Sequence, residues 1–274
     1  IVKKITLRLI KNPTSLVGIL LLVTFVVVAA IAPVLAPPPA NSRDPYMIPR
    51  SGFGAAPTPP SEDHPMGTTE GQYDIFYGVI WGTRTAFRIG VVITFCTTLI
   101  GLLVGSLAAF YRGWLDELLM RITEIFQAFP FLLAAITLTS VLQTLYGRGG
   151  TGPLVAVAKV LALFTFGHDP AKPLDPVQLQ VLTGMIAIIG FGWMTYARVI
   201  RSNIMTVRDL DFATAARTIG ARPLRILFRH LLPNAVFPVL VLASMDIGAY
   251  VLSETALSFI GLGLHLRFAR PLAR

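Results

Sequence analysis

The chain has 274 residues, of which 54% are hydrophobic and only 14% charged, and its formal net charge is +9. An average soluble domain carries about 25% charged residues, so this chain lacks the charge to cover a water-facing surface, and disorder and collagen-like fibre are excluded as well. Cys96 is the sole cysteine, which excludes an intrachain disulfide and leaves a small packing residue inside an apolar run. The cations gather at the ends of apolar runs, and no Lys/Arg block is interleaved with aromatics. That pattern argues against nucleic acid and for a chain oriented in a lipid bilayer by the positive-inside rule.

A helix crossing about 30 Å of hydrocarbon needs roughly 20 apolar residues. Five segments qualify, taken in chain order. The first, about Leu16–Ala36, follows Lys3, Lys4, Arg8 and Lys11. It is longer than a secretory signal core, and Pro37 disfavours cleavage after Ala36, so it reads as a retained anchor. Residues 37–88 follow as an external loop. Half the prolines of the chain lie between Pro33 and Pro65, a composition that favours extended structure without regular elements. The transmembrane core is expected over 89–263. Its spans are about Ile89–Tyr111, Ile122–Leu145, Val181–Ala197 and Ala235–Ser253, and Pro130 and Pro238 should bend their helices. An external loop, 147–178, contains Pro153–Phe166. This stretch is apolar but short and interrupted by Lys159, and reads as an interfacial or re-entrant helix.

Charge orients the array. The N-terminal cations, the short loop Arg112–Arg121 and the segment Arg198–His230, which carries seven arginines against Asp209 and Asp211, all fall on one side. By the positive-inside rule that side is the cytoplasm. The tail 264–274 is atypical, with Arg267, Arg270 and Arg274 on what should be the outer side. The chain begins with Ile. Further residues are expected beyond both ends.

Several residues stand out. Asp246 lies about twelve residues, roughly 18 Å, into the last span. An acid at that depth faces a wet pathway or is hydrogen-bonded to a neighbouring helix. Glu254 is expected to be solvated at the outer end. Gly101 and Gly105 form a Gly-x-x-x-Gly pair suited to close helix approach within the chain. His64, His168, His230 and His265 show no zinc-ligand spacing, Gly105-Ser106 has no His or Asp near it in sequence, and no metal, cofactor or catalytic residue is expected.

The segment 198–233 is the most informative. Asp209 can cap a helix over Leu210–Ile219, whose Ala213, Ala215 and Ala216 offer a small-residue face. Gly220 fits the left-handed position just past its end, and Pro223 the first turn of a second helix. There Leu224, Leu227, Phe228 and Leu231 should share one face, and Arg222, Arg225 and Arg229 another. The residues admit two readings, an amphipathic pair resting on anionic lipid or a docking knob for a cytoplasmic partner.

At this point a resemblance enters. Thr214-Ala-Ala-Arg-Thr-Ile-Gly220-Ala with Phe228-Arg-His-Leu-Leu-Pro233-Asn234 resembles the EAA loop of ABC-importer permeases, in the dipeptide/oligopeptide/nickel branch. Ala215, Ala216, Gly220, Leu232 and Pro233 match the pattern. Thr214 stands in place of the usual Glu and His230 in place of Ile. His64-Pro-Met-Gly-Thr-Thr with Gly71 and Asp74, Trp81-Gly-Thr-Arg-Thr, Met120 to Pro130, Tyr196-Ala-Arg198-x-x-Arg201 and Leu257 to Gly263 are similar to other segments of that branch.

The resemblance implies an all-α polytopic membrane bundle, with six core spans against five visible here. It implies a permease for peptides, nickel or other small solutes in the cell (inner) membrane. Its partners would be cytoplasmic P-loop ATPases, a second and different permease, and an external substrate-binding protein. The ATPase would dock on Ala213, Thr214, Ala215, Ala216, Arg217, Gly220 and Ala221, and drive alternating access. The sequence holds no Gly-x-x-x-x-Gly-Lys-Ser/Thr stretch, so ATP hydrolysis would belong to a partner. The alternative is a non-transporting scaffold whose basic loop binds lipid or a regulator. An export permease fits the EAA-type loop poorly.

Overall fold

A computed structural model describes residues 13–39, 48–52, 54, 56–147, 153–167, 174 and 176–260. The N-terminal cations and the tail 264–274 lie outside these residues. The described elements are helices, with short bridges rather than strands between them. Four helices are long and apolar enough to cross a membrane, and a bent pair makes a fifth candidate. The chain is a polytopic helical membrane protein, and it divides into two compact units between Arg88 and Ile89.

The first unit holds α1 (Pro13–Leu35), a loop, and the beginning of α2 (Ile75–Tyr111). α1 is exposed along most of its length, as a lipid-facing span requires. A small cluster of Ala32, Ala36, Tyr77, Ile80 and Trp81 closes this unit, and the Trp81 indole N–H donates to the Ala36 carbonyl at 2.8 Å. α2 starts fourteen residues ahead of the expected span, inside the stretch read as loop. The cause is a cap. Asp74 Oδ1 accepts from the Tyr77 amide at 2.9 Å, three residues on, as an N-cap side chain does.

The second unit is built round α6 (Pro176–Val207). The fourth span was expected to be short, yet this helix has 32 residues and carries Arg198 and Arg201 within it. Hydropathy registers only the part of a helix that lies in lipid. α2 packs on α6 through glycine, where the backbones come too close for any side chain. A Cβ at Gly101 would lie 2.4 Å from Tyr196 Cβ, and one at Gly105 2.1 Å from the Ala197 carbonyl oxygen. The Gly-x-x-x-Gly pair therefore packs within the chain.

Between them, Arg112 (φ 54°) and Gly113 (φ 62°) turn the chain directly into α3 (Gly113–Gln127). The expected loop Arg112–Arg121 is thus mostly helix. α3 and α4 (Phe131–Gly147) meet at 87°, so the third expected span is broken rather than merely bent at Pro130. α5 (Pro153–Phe166) is the short apolar helix. The last long helix, α10 (Phe237–Phe259), opens just after Val236. Pro238 sits in its first turn, where a missing N–H is harmless, and does not bend it. Glu254, expected to be solvated, is buried and accepts from Ser258 Oγ at 2.9 Å.

Candidate functional site: the segment between α6 and α10

Beyond Val207 the chain leaves α6, and Leu210, not Asp209, becomes the N-cap of α7 (Asp211–Thr218), with no side-chain cap bond. The helix ends in a Schellman turn. Gly220 has φ 76°, its N–H donates to the Arg217 carbonyl at 3.0 Å, and the Ala221 N–H reaches back to the Ala216 carbonyl at 3.1 Å. Pro223 then opens α8 (Pro223–Ile226). Gly220 and Pro223 thus occupy the positions that their backbone preferences dictate.

The small-residue face is split by the fold. Ala213 and Ala216, three apart, turn inward and are buried. Thr214, Ala215, Arg217 and Gly220 are exposed and Ala221 half-buried. Ile219 is 84% exposed at the apex, with Phe212 and Leu210 also open. Ile219 and Phe212 were absent from the expected set. Their signal was present, since Phe212, Ala215 and Ile219 follow an i, i+3, i+7 spacing.

A π-helical turn, Leu227–Leu231, and α9 (Leu232–Ala235) follow α8. Pro233 has no N–H to give the Arg229 carbonyl and its ring crowds it. The wider turn relieves that clash. Asn234 Nδ2 donates to the His230 carbonyl at 2.6 Å, and Asn203 Nδ2 of α6 to the Ala235 carbonyl at 3.2 Å. The extra residue shifts the helical register. Ile226, Leu227 and Leu231 are buried, whereas Leu224 and Phe228, expected beside them, are exposed.

Three residues of the Tyr196–Arg201 motif tie α6 to its neighbours. The Tyr196 hydroxyl donates to Asp246 Oδ2 at 2.5 Å. Arg198 donates to Gln127 Oε1. Arg201 holds Asp116 with two bonds, at 2.5 and 2.6 Å. Asp246 is half-buried, between the two expectations of open pathway acid and fully buried partner.

Arg208 stands where α6 meets the segment. Its Nη1 donates to the Ala109 carbonyl at 3.3 Å, and Arg217 Nη2 donates to the Arg208 carbonyl at 2.8 Å. Burial first, then the nearby Arg112 and Arg217, pull its pKa below the ordinary arginine value, with Asp209 opposing. An arginine so placed stays cationic.

In the loop ahead of α2, Ser51 Oγ and His64 Nε2 are 2.8 Å apart, and His64 Nδ1 and Asp74 Oδ2 2.9 Å. The order of groups is that of a hydrolase triad. The surrounding bonds fit a structural clasp: Asp74 caps α2, and the Ser51 amide is engaged by the Gln72 carbonyl. The clasp pins the loop to the helix start.

The family model described as binding-protein-dependent transport system inner membrane component matches residues 101–271, more than half of the chain. The chain belongs to that family. A second model, the N-terminal TM domain of oligopeptide transport permease C, matches residues 3–57. Among curated relatives, the oligopeptide transport system permease protein OppC of Bacillus subtilis (strain 168) is 30% identical over 96% of this chain and 72% of its own length. The dipeptide transport system permease protein DppC of the same strain is 28% identical over 96% of this chain and 68% of its own. The glutathione transport system permease protein GsiD of Escherichia coli O6:K15:H31 is 31% identical over 93% of this chain and 71% of its own. The protein is accordingly a permease subunit of an ABC importer.

Proposed function

We propose that this permease carries short peptides across the inner membrane, with its N-terminus and the α6–α10 segment in the cytoplasm. The relatives named above are permeases for dipeptides, oligopeptides and glutathione, which favours peptides over nickel. An external binding protein delivers the cargo, and ATP is hydrolysed on a partner subunit.

The observation that carries the docking reading is the two-sided build of α7. Ala213 and Ala216 fix it to the permease, while Phe212, Thr214, Ala215, Arg217, Ile219 and Gly220 remain open for the ATPase. An apolar apex on a rigid Schellman turn suits insertion into a groove of a partner. A second permease is supported by α10. Its outer face, with Val241, Met245 and Leu252, is exposed, and beside that face Asp246 keeps part of its surface open. A carboxylate in direct contact with lipid is costly, so that edge belongs against water or another subunit, and Asp246 is our candidate pathway residue.

The test is recovery of a P-loop ATPase with the tagged full-length protein in mild detergent, identified by mass spectrometry. Ile219→Asp and Gly220→Pro should abolish recovery and peptide uptake while membrane insertion persists. Ala216 is buried, so Ala216→Trp would disturb the permease itself and is a less clean probe. Full ATPase recovery with Ile219→Asp would overturn the docking assignment.

A further inference from the structure

The cleft beside α7 holds a half-buried cation, Arg208, that docking on the outer face does not use. It encloses about 220 Å³, below the roughly 300–1,000 Å³ of ordinary small-molecule sites. Ala109, Phe110, Ile204 and Ile226 line it together with Arg208 and Arg217. The Arg208 side chain is 17% exposed, and its Nε is fully buried without a hydrogen-bond acceptor. The nearest carboxylate, Asp209, stands 3.9 Å from that nitrogen and is itself 73% exposed. Arg112 and Arg217 add positive charge close by. A buried guanidinium nitrogen without an acceptor costs free energy, and two further arginines beside it raise that cost. An anion relieves both.

We propose that this cleft binds the phosphate of an anionic phospholipid headgroup. The cleft opens where α2 ends at Tyr111 and α6 at Val207, two helices long enough to cross the membrane. Basic pockets between spans near the headgroups hold lipid phosphate. Its apolar wall suits the glycerol and first acyl carbons, which a free phosphate lacks. An acidic residue of a partner docked on Ile219 would meet the opposite side of α7. The proposal rests on the spanning assignment of α2 and α6, not on ATPase docking. Bound there, the lipid would bridge α2, α6 and the coupling segment, and couple the hold on α7 to the charge of the leaflet.

The experiment uses the full-length protein in mild detergent, with native mass spectrometry to count bound lipid. Dioctanoyl phosphatidylglycerol is titrated against dioctanoyl phosphatidylcholine. About 1 kcal/mol per arginine near the headgroup corresponds to about five-fold in affinity. Wild type should therefore prefer phosphatidylglycerol at least five-fold, and Arg208→Gln should lose that preference. Ala109→Leu, which fills the cleft without touching charge, should lose it as well, and decides the matter if Arg208→Gln does not fold. Arg225→Gln, exposed and outside the cleft, should keep it. Equal affinity for the two lipids in wild type, or an equal fall with Arg225→Gln, overturns the site. Displacement by millimolar inorganic phosphate shows a free-anion site and overturns the lipid assignment. ATPase recovery is read from the same preparation. Absence of lipid preference with the ATPase bound refutes the lipid site alone.

Discussion

The contact between α2 and α6 admits a direct test through Gly105→Ala. The added Cβ would lie 2.1 Å from the Ala197 carbonyl oxygen and 2.5 Å from Ile200 Cγ2, where ordinary contact begins at 3.4 Å. Ile200 can change rotamer, but the Ala197 oxygen is backbone inside a helix. The two helices must therefore part by about 1.3 Å at this point, judged from those two distances. Overpacking of this kind costs about 1–3 kcal/mol, partly offset by the helix preference of Ala over Gly, up to about 1 kcal/mol. Gly248→Ala in α10 is the matched control. Nothing lies within 4 Å of its added Cβ, so it should be neutral or slightly stabilising. The two variants should differ by about 2 kcal/mol, or about 4–8 °C in melting temperature at 2–4 °C per kcal/mol. Thermal unfolding in one detergent, followed by tryptophan fluorescence, measures the difference. A Gly105→Ala protein that melts at or above Gly248→Ala would refute the backbone-contact argument.

Three other substitutions probe separate parts of the fold. Arg201→Ala leaves Asp116, whose side chain is 11% exposed, without its partner, and should cost about 3 kcal/mol. The double variant Arg201→Met with Asp116→Leu should recover most of that loss in the same melting assay; no recovery would mean the pair is not what holds α3 to α6. Asp74→Ala removes the cap of α2 and should cost about 1 kcal/mol, seen as faster limited proteolysis within residues 48–74, while Ser51→Ala leaves peptide uptake unaltered. In uptake assays Asp246→Asn should lower transport more than Tyr196→Phe, which removes the shared hydrogen bond but keeps the charge; normal uptake with Asp246→Asn ends its pathway assignment.

What the sequence made legible was local. Gly220 and Pro223 could be placed because a left-handed turn and a first helical turn are demands on one residue's backbone. Apolar windows marked where the spans run, because burial in lipid leaves a continuous record along the chain. Helix ends were less legible. α2 begins at Ile75 because Asp74 caps it, and α6 runs to Val207 because Arg198 and Arg201 find partners on α3. Neither fact alters hydropathy. Pairings such as Asp116 with Arg201 and Ser51 with His64 join residues far apart in sequence and leave no periodic trace. The face of α7 was misjudged for a related reason. Alanine fits both a buried and a docking surface, so which of Ala213, Ala215 and Ala216 turns inward depends on what covers the helix. The π-helical turn had one signal, Pro233, whose effect on the preceding register a 3.6-residue period does not capture.

The position of these contacts bears on how movement at α7 could reach the spans. α6 is one unbroken helix from within the bundle to the start of the segment. Gly101 and Gly105 hold it to α2 by backbone contact, Tyr196 ties it to Asp246 of α10, and Arg201 ties it to α3. Backbones in contact interlock, and cannot slide past each other without first separating, so α2 and α6 should respond as a block. Compliance must then lie elsewhere. The structure offers three places: the 87° break between α3 and α4, the π-helical turn at Leu227–Leu231, and the interruption at Val236 before α10. Two of the three lie between α7 and the last span. A push on α7 would thus be carried rigidly into α6 and absorbed on the side of α10, changing the angle between them. Asp246 sits on the helix whose angle would change, and its bond to Tyr196 is the polar link that such a change would strain first.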